Sequence, residues 1–76
     1  MNIDFKYNIG DIIKKNIYYV DKPTMMEGEV VGQKALILKD ALFIDYIVYF
    51  RSYGPEGKRI TLSTKDISRS NVIAYA

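Results

Sequence analysis

The stretch FIDYIVYFRS, residues 43–52, decides the fold class. Every second residue of its central part is apolar, and a period of two residues is typical of a strand that buries one face. The other face carries Asp45 and Arg51, so we expect that face to be partly exposed to water. The face predicted to be buried consists of Ile44, Tyr46, Val48 and Phe50.

A turn and another strand follow this stretch directly. Residues 53–57 read YGPEG, in which two glycines permit positive φ and Pro55 fixes a corner of the chain. In the strand predicted for residues 58–63, Ile60 and Leu62 alternate with polar residues. Residues 43–63 are therefore predicted to form a β-hairpin.

Two more strands are predicted on the N-terminal side. Residues 10–20 are rich in Ile, Tyr and Val, which favour strands. Residues 21–28 are predicted to be a loop, because Pro23 cannot donate to a ladder. Residues 29–38 form the second predicted strand. Its far end is apolar on both faces, as expected of a bent strand shared by two faces of a barrel.

The region between the second and third predicted strands has two interpretations. Lys39-Asp40 suits a tight turn that joins two strands. Residues 34–42 as a whole also suit a short helix. The two interpretations stay open at the level of the sequence.

The C-terminal part is predicted to hold one helical turn and a last strand. Residues 64–67 read TKDI, and Ser, Thr and Asp side chains bond local backbone amides at such turns. Ile67 is expected to plug one end of the barrel. Residues 71–75 form the last predicted strand. The whole chain, residues 1–76, is thus predicted to be a single all-β domain: a five-stranded small closed barrel with one short helical turn before the last strand.

Several segments resemble the SH3-like barrels of bacterial proteins, in the broad sense that includes KOW-type and CarD-type modules. Residues 7–13, YNIGDII, are similar to the aromatic-x-x-Gly-Asp-x-apolar opening of those families, and residues 28–31, GEVV, to their second strand. Residues 46–50 and 62–67 are similar to the third strand and to the strand that leads into a helical turn. The resemblance implies an SH3-like fold, whereas a fold by itself does not imply a function.

The composition argues against enzymatic function and against cofactors. Histidine and cysteine are both absent, so imidazole catalysis, thiol nucleophiles and thiolate metal sites are excluded. The acidic residues lack the spacing of a calcium loop. We therefore expect a non-enzymatic binding module that uses no cofactor and no metal.

The composition also indicates an environment. The longest apolar runs have about five residues, against the roughly 20 that span a bilayer, so we expect no membrane association. The absence of cysteine fits a reducing compartment, and we expect a cytoplasmic protein. Residues with A/T-rich codons, namely Ile, Lys, Asn and Tyr, are abundant and favour a bacterial or phage origin.

Tyrosine is the residue type that most favours a protein-binding role, as in a small regulator or inhibitor. The chain has 7 tyrosines and no tryptophan, and tyrosine is common in protein interfaces. Adjacent methionines in the predicted loop add adaptable apolar area. The residues predicted to bind a protein partner are Tyr18, Tyr19, Met25, Met26, Tyr49 and Tyr53.

The alternative function is binding of RNA or DNA. The formal net charge is only +2, but five cations are expected to form a stripe if the first, third and fourth strands adjoin. Tyr49 or Tyr53 would then stack on a base. The residues of this stripe are Lys14, Lys15, Arg51, Lys58 and Arg59.

A homodimer is a further expectation. The last predicted strand, residues 71–75, runs almost to the end of the sequence. If it lies at the edge of the sheet, its free backbone groups can pair with a second copy.

Overall fold

In residues 43–52, the alternation of apolar side chains in the sequence matches the alternation of buried side chains in the structure. A computed structural model describes residues 3–68 and 71–74. Tyr46, Val48 and Phe50 are fully buried, and the residues between them are half-buried. The predicted hairpin is confirmed, since strand β3, Leu42–Phe50, pairs antiparallel with strand β4, Lys58–Ser63.

The other elements agree with the sequence in their order. Strand β1 is Ile12–Tyr19, strand β2 is Lys22–Ile37, helix α1 is Thr64–Ser68 and strand β5 is Asn71–Ala74. The prediction of an all-β protein with a helical turn before the last strand is confirmed. Ile67 on α1 is fully buried, as expected of a side chain that plugs the core.

The predicted loop at residues 21–28 is wrong. Val20 and Asp21 have positive φ values of 50° and 60°, and Tyr19 pairs with Lys22, so the chain reverses in two residues. Strand β2 then runs for 16 residues. Pro23 is tolerated in it because β2 pairs with β3 only from Gly28 onward, which leaves the backbone nitrogen of Pro23 at an open edge.

The short helix that was the alternative for residues 34–42 is also wrong. Residues 34–37 belong to β2, and β3 begins at Leu42. The amide of Leu38 donates to the carbonyl of Ala41 at 2.8 Å, which closes a tight turn over Lys39 and Asp40. The predicted bend lies near Gly32, where the register between β2 and β3 shifts.

The closed barrel predicted from the sequence is wrong, because the sheet is open. Its strand order is β4-β3-β2-β1-β5, and β4 and β5 lie at opposite edges without pairing to each other in the described residues. The N-terminal segment covers the open side instead. The amide of Lys6 donates to the Tyr46 hydroxyl at 2.9 Å, and the ring of Tyr7 packs edge-on against Tyr46 at 5.3 Å.

The Gly-Asp pair before β1 fixes this segment to the sheet. Gly10 has a φ of 102°, and its amide donates to the carbonyl of Val30 at 2.8 Å. The carboxylate of Asp11 is fully buried and accepts a hydrogen bond from the amide of Asn8 at 2.8 Å. The core that results is one cluster, formed by Tyr7, Ile13, Met26, Val30, Tyr46, Val48, Phe50, Leu62 and Ile67.

Candidate functional site

The two methionines predicted to bind a partner lie on opposite faces of β2. Met25 is about half exposed, whereas only 3% of Met26 is exposed and its side chain belongs to the core. Strand alternation separates them, because the segment is a strand and not the predicted loop. Met26 is therefore unavailable to a partner.

The tyrosines at the end of β1 are divided in the same way. Tyr18 is 69% exposed on the outer face, the face of the sheet opposite the core. Tyr19 is half-buried on the inner face, with its ring 4.9 Å from that of Tyr53. The ammonium group of Lys58 lies 4.9 Å above the Tyr53 ring. Tyr19 and Tyr53 thus fill one end of the core rather than face a partner.

Tyr49 lies on the outer face, where it holds the turn between β3 and β4. Its hydroxyl donates to the carbonyl of Glu56 at 2.8 Å. A Cβ atom added to Gly57 would overlap the Tyr49 hydroxyl, which shows how closely the turn lies on the ring. Of the six residues predicted to bind protein, only Tyr18 and Met25 present a largely free side chain, beside the exposed Val20 and Pro23 at the tip of the β1–β2 hairpin.

The predicted basic stripe is divided between two faces. Lys14 and Arg59 are on the outer face by alternation with buried neighbours, and Arg51 follows β3 on that side. Lys15 shares the inner face with Ile13, and Lys58 pairs with the buried Phe50. Strand alternation at Lys14-Lys15 and at Lys58-Arg59 forces this division.

Two carboxylates interrupt the part of the stripe that shares the outer face. Glu27 pairs in register with Lys14, and Glu29 pairs with Tyr49, which in turn pairs with Arg59. Glu27 and Glu29 line an open depression of about 390 Å³, together with Ile12, Gly28, Tyr49 and Arg51. The outer face is therefore mixed in charge rather than basic.

The sequence did not single out the most apolar surface of the described residues. Strands β2 and β3 continue past their neighbours as a two-stranded projection, residues 32–45, which we call the hairpin arm. Pairing of β1 with β2 ends at Glu29, and pairing of β3 with β4 ends at Asp45. Five large apolar side chains of the arm are each between 44% and 54% exposed: Leu36, Ile37, Leu38, Leu42 and Phe43.

The arm is apolar on both of its faces. Leu36 pairs in register with Phe43 on the outer face, and Ile37 pairs with Leu42 on the other. The sequence carried this signal as the apolar residues on both faces of the second predicted strand. That pattern was interpreted as burial on both sides of a barrel, but in an open sheet it leaves both faces in water.

Other kinds of site are not evident in the described residues. No group of three or more acidic side chains there is close enough to hold a metal ion. The helix they contain is too short to cross a membrane. Comparison of the chain with protein-family models, with curated proteins and with solved structures gave no match.

Proposed function

We propose that this chain is a non-enzymatic protein-binding module and that the hairpin arm is its contact surface. Five large apolar side chains, each about half exposed, lie together on a projection that no other strand of the described residues covers. Contiguous apolar patches of this kind mark interaction sites on small proteins. This clustering is the observation that carries the proposal.

The gain available from covering the arm is large enough for specific association. Burying the exposed half of one such side chain contributes roughly 1 kcal/mol. Five of them offer on the order of 5 kcal/mol before the cost of association is subtracted. In the arm, the edge of β2 that faces away from β3 is open. Backbone hydrogen bonds along this edge add specificity, because a pairing partner must match the register of the strand.

The alternative, binding of RNA or DNA, has weaker support. A phosphate-binding face needs cations that are not neutralised, whereas Glu27 and Glu29 lie between Lys14 and the two arginines of the outer face. The hydroxyl of Tyr49 is bonded to the turn, so its ring is not free to stack on a base.

The resemblance to SH3-like barrels remains a proposal about the fold. Five antiparallel strands with a helical turn before the fifth support it, although the sheet is open. A bacterial or phage origin and a cytoplasmic location are proposals too, and they rest on composition. None of these names a partner.

A pair of matched double variants tests the function. Leu36→Ser with Phe43→Ser removes the outer apolar pair of the arm, and Tyr18→Ser with Met25→Ser removes comparably exposed apolar residues at the other hairpin tip. We expect the arm variant to lose saturable binding to protein, measured with the immobilised chain, and the tip variant to keep it. Circular dichroism of both variants checks the fold.

Two results would contradict the proposal. One is protein binding that survives in the arm variant. The other is tight binding of the wild-type chain to mixed-sequence DNA or RNA that weakens steeply with salt, since that dependence indicates phosphate contacts.

A further inference from the structure

The hydrogen-bond pattern of the turn between β2 and β3 determines which backbone groups of β2 in the arm point away from β3. Leu38 and Ala41 form the hydrogen-bonded pair that closes the turn, with the Leu38 amide 2.8 Å from the Ala41 carbonyl oxygen. In an antiparallel ladder, residues alternate between groups directed at one neighbour and groups directed at the other. Ile37 and Ala35 therefore direct their N–H and C=O groups away from β3, toward the open edge of β2.

No strand occupies that edge in the described part of the chain. The last contacts of β2 on that side join Val30 to Gly10 and Asp11 through backbone hydrogen bonds, and Gln33 then reaches the carbonyl of Tyr7 with its side chain. Beyond Gln33, this edge has backbone groups that can pair with one more antiparallel strand.

The charges of the arm are balanced and are placed at its two ends. Lys34 and Asp45 pair in register at the base, and Lys39 and Asp40 are exposed at the apex. The two cations and two anions sum to zero. An arm of this kind does not repel an identical arm, and its apex and base each offer both signs of charge.

We propose that the occupant of this edge is the arm of a second copy of the chain, paired antiparallel about a two-fold axis at Ile37. This inference rests on the function proposed above and names the partner of the same surface. With Ile37 opposite Ile37 of the other copy, strand register places Leu36 opposite Leu38, and Lys34 lies beside the turn that carries Asp40 of the other copy. Apolar side chains then meet apolar ones at the centre, and opposite charges meet at both ends.

Symmetry makes this contact self-limiting. Two identical strands that pair antiparallel are related by a two-fold axis, so association ends at two copies. Each copy contributes Leu36, Ile37 and Leu38 to the contact, whereas Leu42 and Phe43 lie on β3, one strand away from it.

The apex of the arm disfavours insertion into a lipid bilayer. Lys39 and Asp40 are both exposed at the tip, so an inserted arm would carry two charges deepest into the hydrocarbon. In the paired arrangement the apex of one arm lies beside the base of the other, where Lys34 supplies a partner of opposite sign for Asp40.

The natural absence of cysteine permits a direct test by cross-linking. Ile37→Cys places two thiols across the proposed axis, at the spacing of directly paired residues, which a disulfide bridges without backbone movement. We expect rapid oxidation of this variant to a covalent dimer. Leu42→Cys, one strand farther from the axis, and Val20→Cys, on the other hairpin tip, are the matched exposed controls and should oxidise at least tenfold more slowly.

Sedimentation equilibrium on chains without cysteine supplies the second measurement. We expect the wild-type chain to be a dimer that Asp40→Lys weakens at least tenfold, because it places two lysines beside each other. Glu56→Lys, the same charge change in another exposed turn, should leave the dimer unchanged.

The outcomes separate this inference from the function on which it rests. A monomeric wild-type chain, or Ile37→Cys that oxidises no faster than Val20→Cys, would overturn the second copy as occupant. If such a monomer still bound another protein through its arm, the proposed function would stand. A dimer insensitive to Asp40→Lys but broken by substitutions in β5 would instead place the contact at the terminal strand, as the sequence predicted, and would overturn the arm pairing.

Discussion

The backbone amide of Lys6 donates a hydrogen bond of 2.9 Å to the hydroxyl of Tyr46, which lies 40 positions farther along the chain. The amide of Tyr7 approaches the same oxygen at 3.4 Å. Tyr46 is fully buried, so its hydroxyl has the N-terminal segment as its partner in place of water. One side chain thus connects the middle of β3 to the segment that covers the open side of the sheet.

Replacing Tyr46 with phenylalanine tests this connection. The ring and its contacts with Phe5 and Tyr7 are retained, while two backbone donors lose their acceptor. We expect the free energy of unfolding to fall by about 1 kcal/mol, because the loss of a typical intramolecular hydrogen bond costs about that much. Hydrogen exchange should show faster exchange at the amides of Lys6 and Tyr7, measured by NMR.

Tyr49→Phe is the matched control for that experiment. It removes a hydroxyl whose hydrogen bond to Glu56 is exposed to solvent, so the expected loss is smaller, roughly 0.5 kcal/mol. The amides of Lys6 and Tyr7 should keep their protection in this variant. Equal loss of protection in both variants would show that the Tyr46 hydroxyl does not hold the segment.

Gly28 is required where β2 crosses Val48 and Phe50 of the core. A Cβ atom at this position would lie 2.6 Å from Cγ1 of Val48 and 2.7 Å from Cε1 of Phe50, both fully buried side chains. Such overpacking typically costs about 1–3 kcal/mol. Gly28→Ala should therefore lower the midpoint of urea unfolding substantially.

Gly54→Ala separates this steric effect from the loss of glycine itself. An added Cβ there meets nothing within 4 Å, but the φ of 77° strains any other residue. The expected cost is about 1 kcal/mol. Adding Val48→Ala should partly restore the stability lost in Gly28→Ala and should not restore the stability lost in Gly54→Ala. Without that selective rescue, close packing against Val48 is not the reason for the glycine.

The parts of the fold that were predictable from the sequence depend on local chemistry. Ser63 and Asp66 illustrate this: the Asp66 carboxylate accepts from the Ser63 amide at 3.2 Å, and the Ser63 hydroxyl accepts from the Asp66 amide at 3.1 Å. This reciprocal cap requires only residues three apart, so the composition of residues 63–67 was enough to predict α1. The alternation in β3 is local in the same sense.

The open sheet and the exposed hairpin arm were not predictable, because both depend on distant contacts. Apolar residues on both faces of a strand indicate burial on both sides only if the sheet closes. Here the segment around Tyr7 fills the space that closure would have filled, through contacts with Tyr46 that no sequence period encodes. The sequence therefore predicts that Leu36 lies in a strand shared by two faces of a barrel, whereas it is exposed on the arm.

The turn between β1 and β2 was missed for a different reason, which leads to a last prediction. Val20 and Asp21 have φ values of 50° and 60°, the positive values that a type I′ turn requires at both of its central positions. A β-branched residue is a poor choice there, so the sequence did not signal a turn. The chain accepts the strain because the pairs on either side, such as Tyr18 with Pro23 and Tyr19 with Lys22, keep the two strands in register.

Replacing this pair with the residues that the turn prefers should stabilise the protein. Val20→Asn with Asp21→Gly keeps the backbone conformation and relieves the strain at Val20, so we expect a gain of about 1 kcal/mol in the free energy of unfolding. The substitution sacrifices no packing, since Val20 is 73% exposed. Thermal unfolding followed by circular dichroism measures the effect. Val20→Ala with Asp21→Ala is the control, because it removes the same side chains but retains the penalty for positive φ, and it should not stabilise the chain. If both variants gain equally, relief of backbone strain is not the cause.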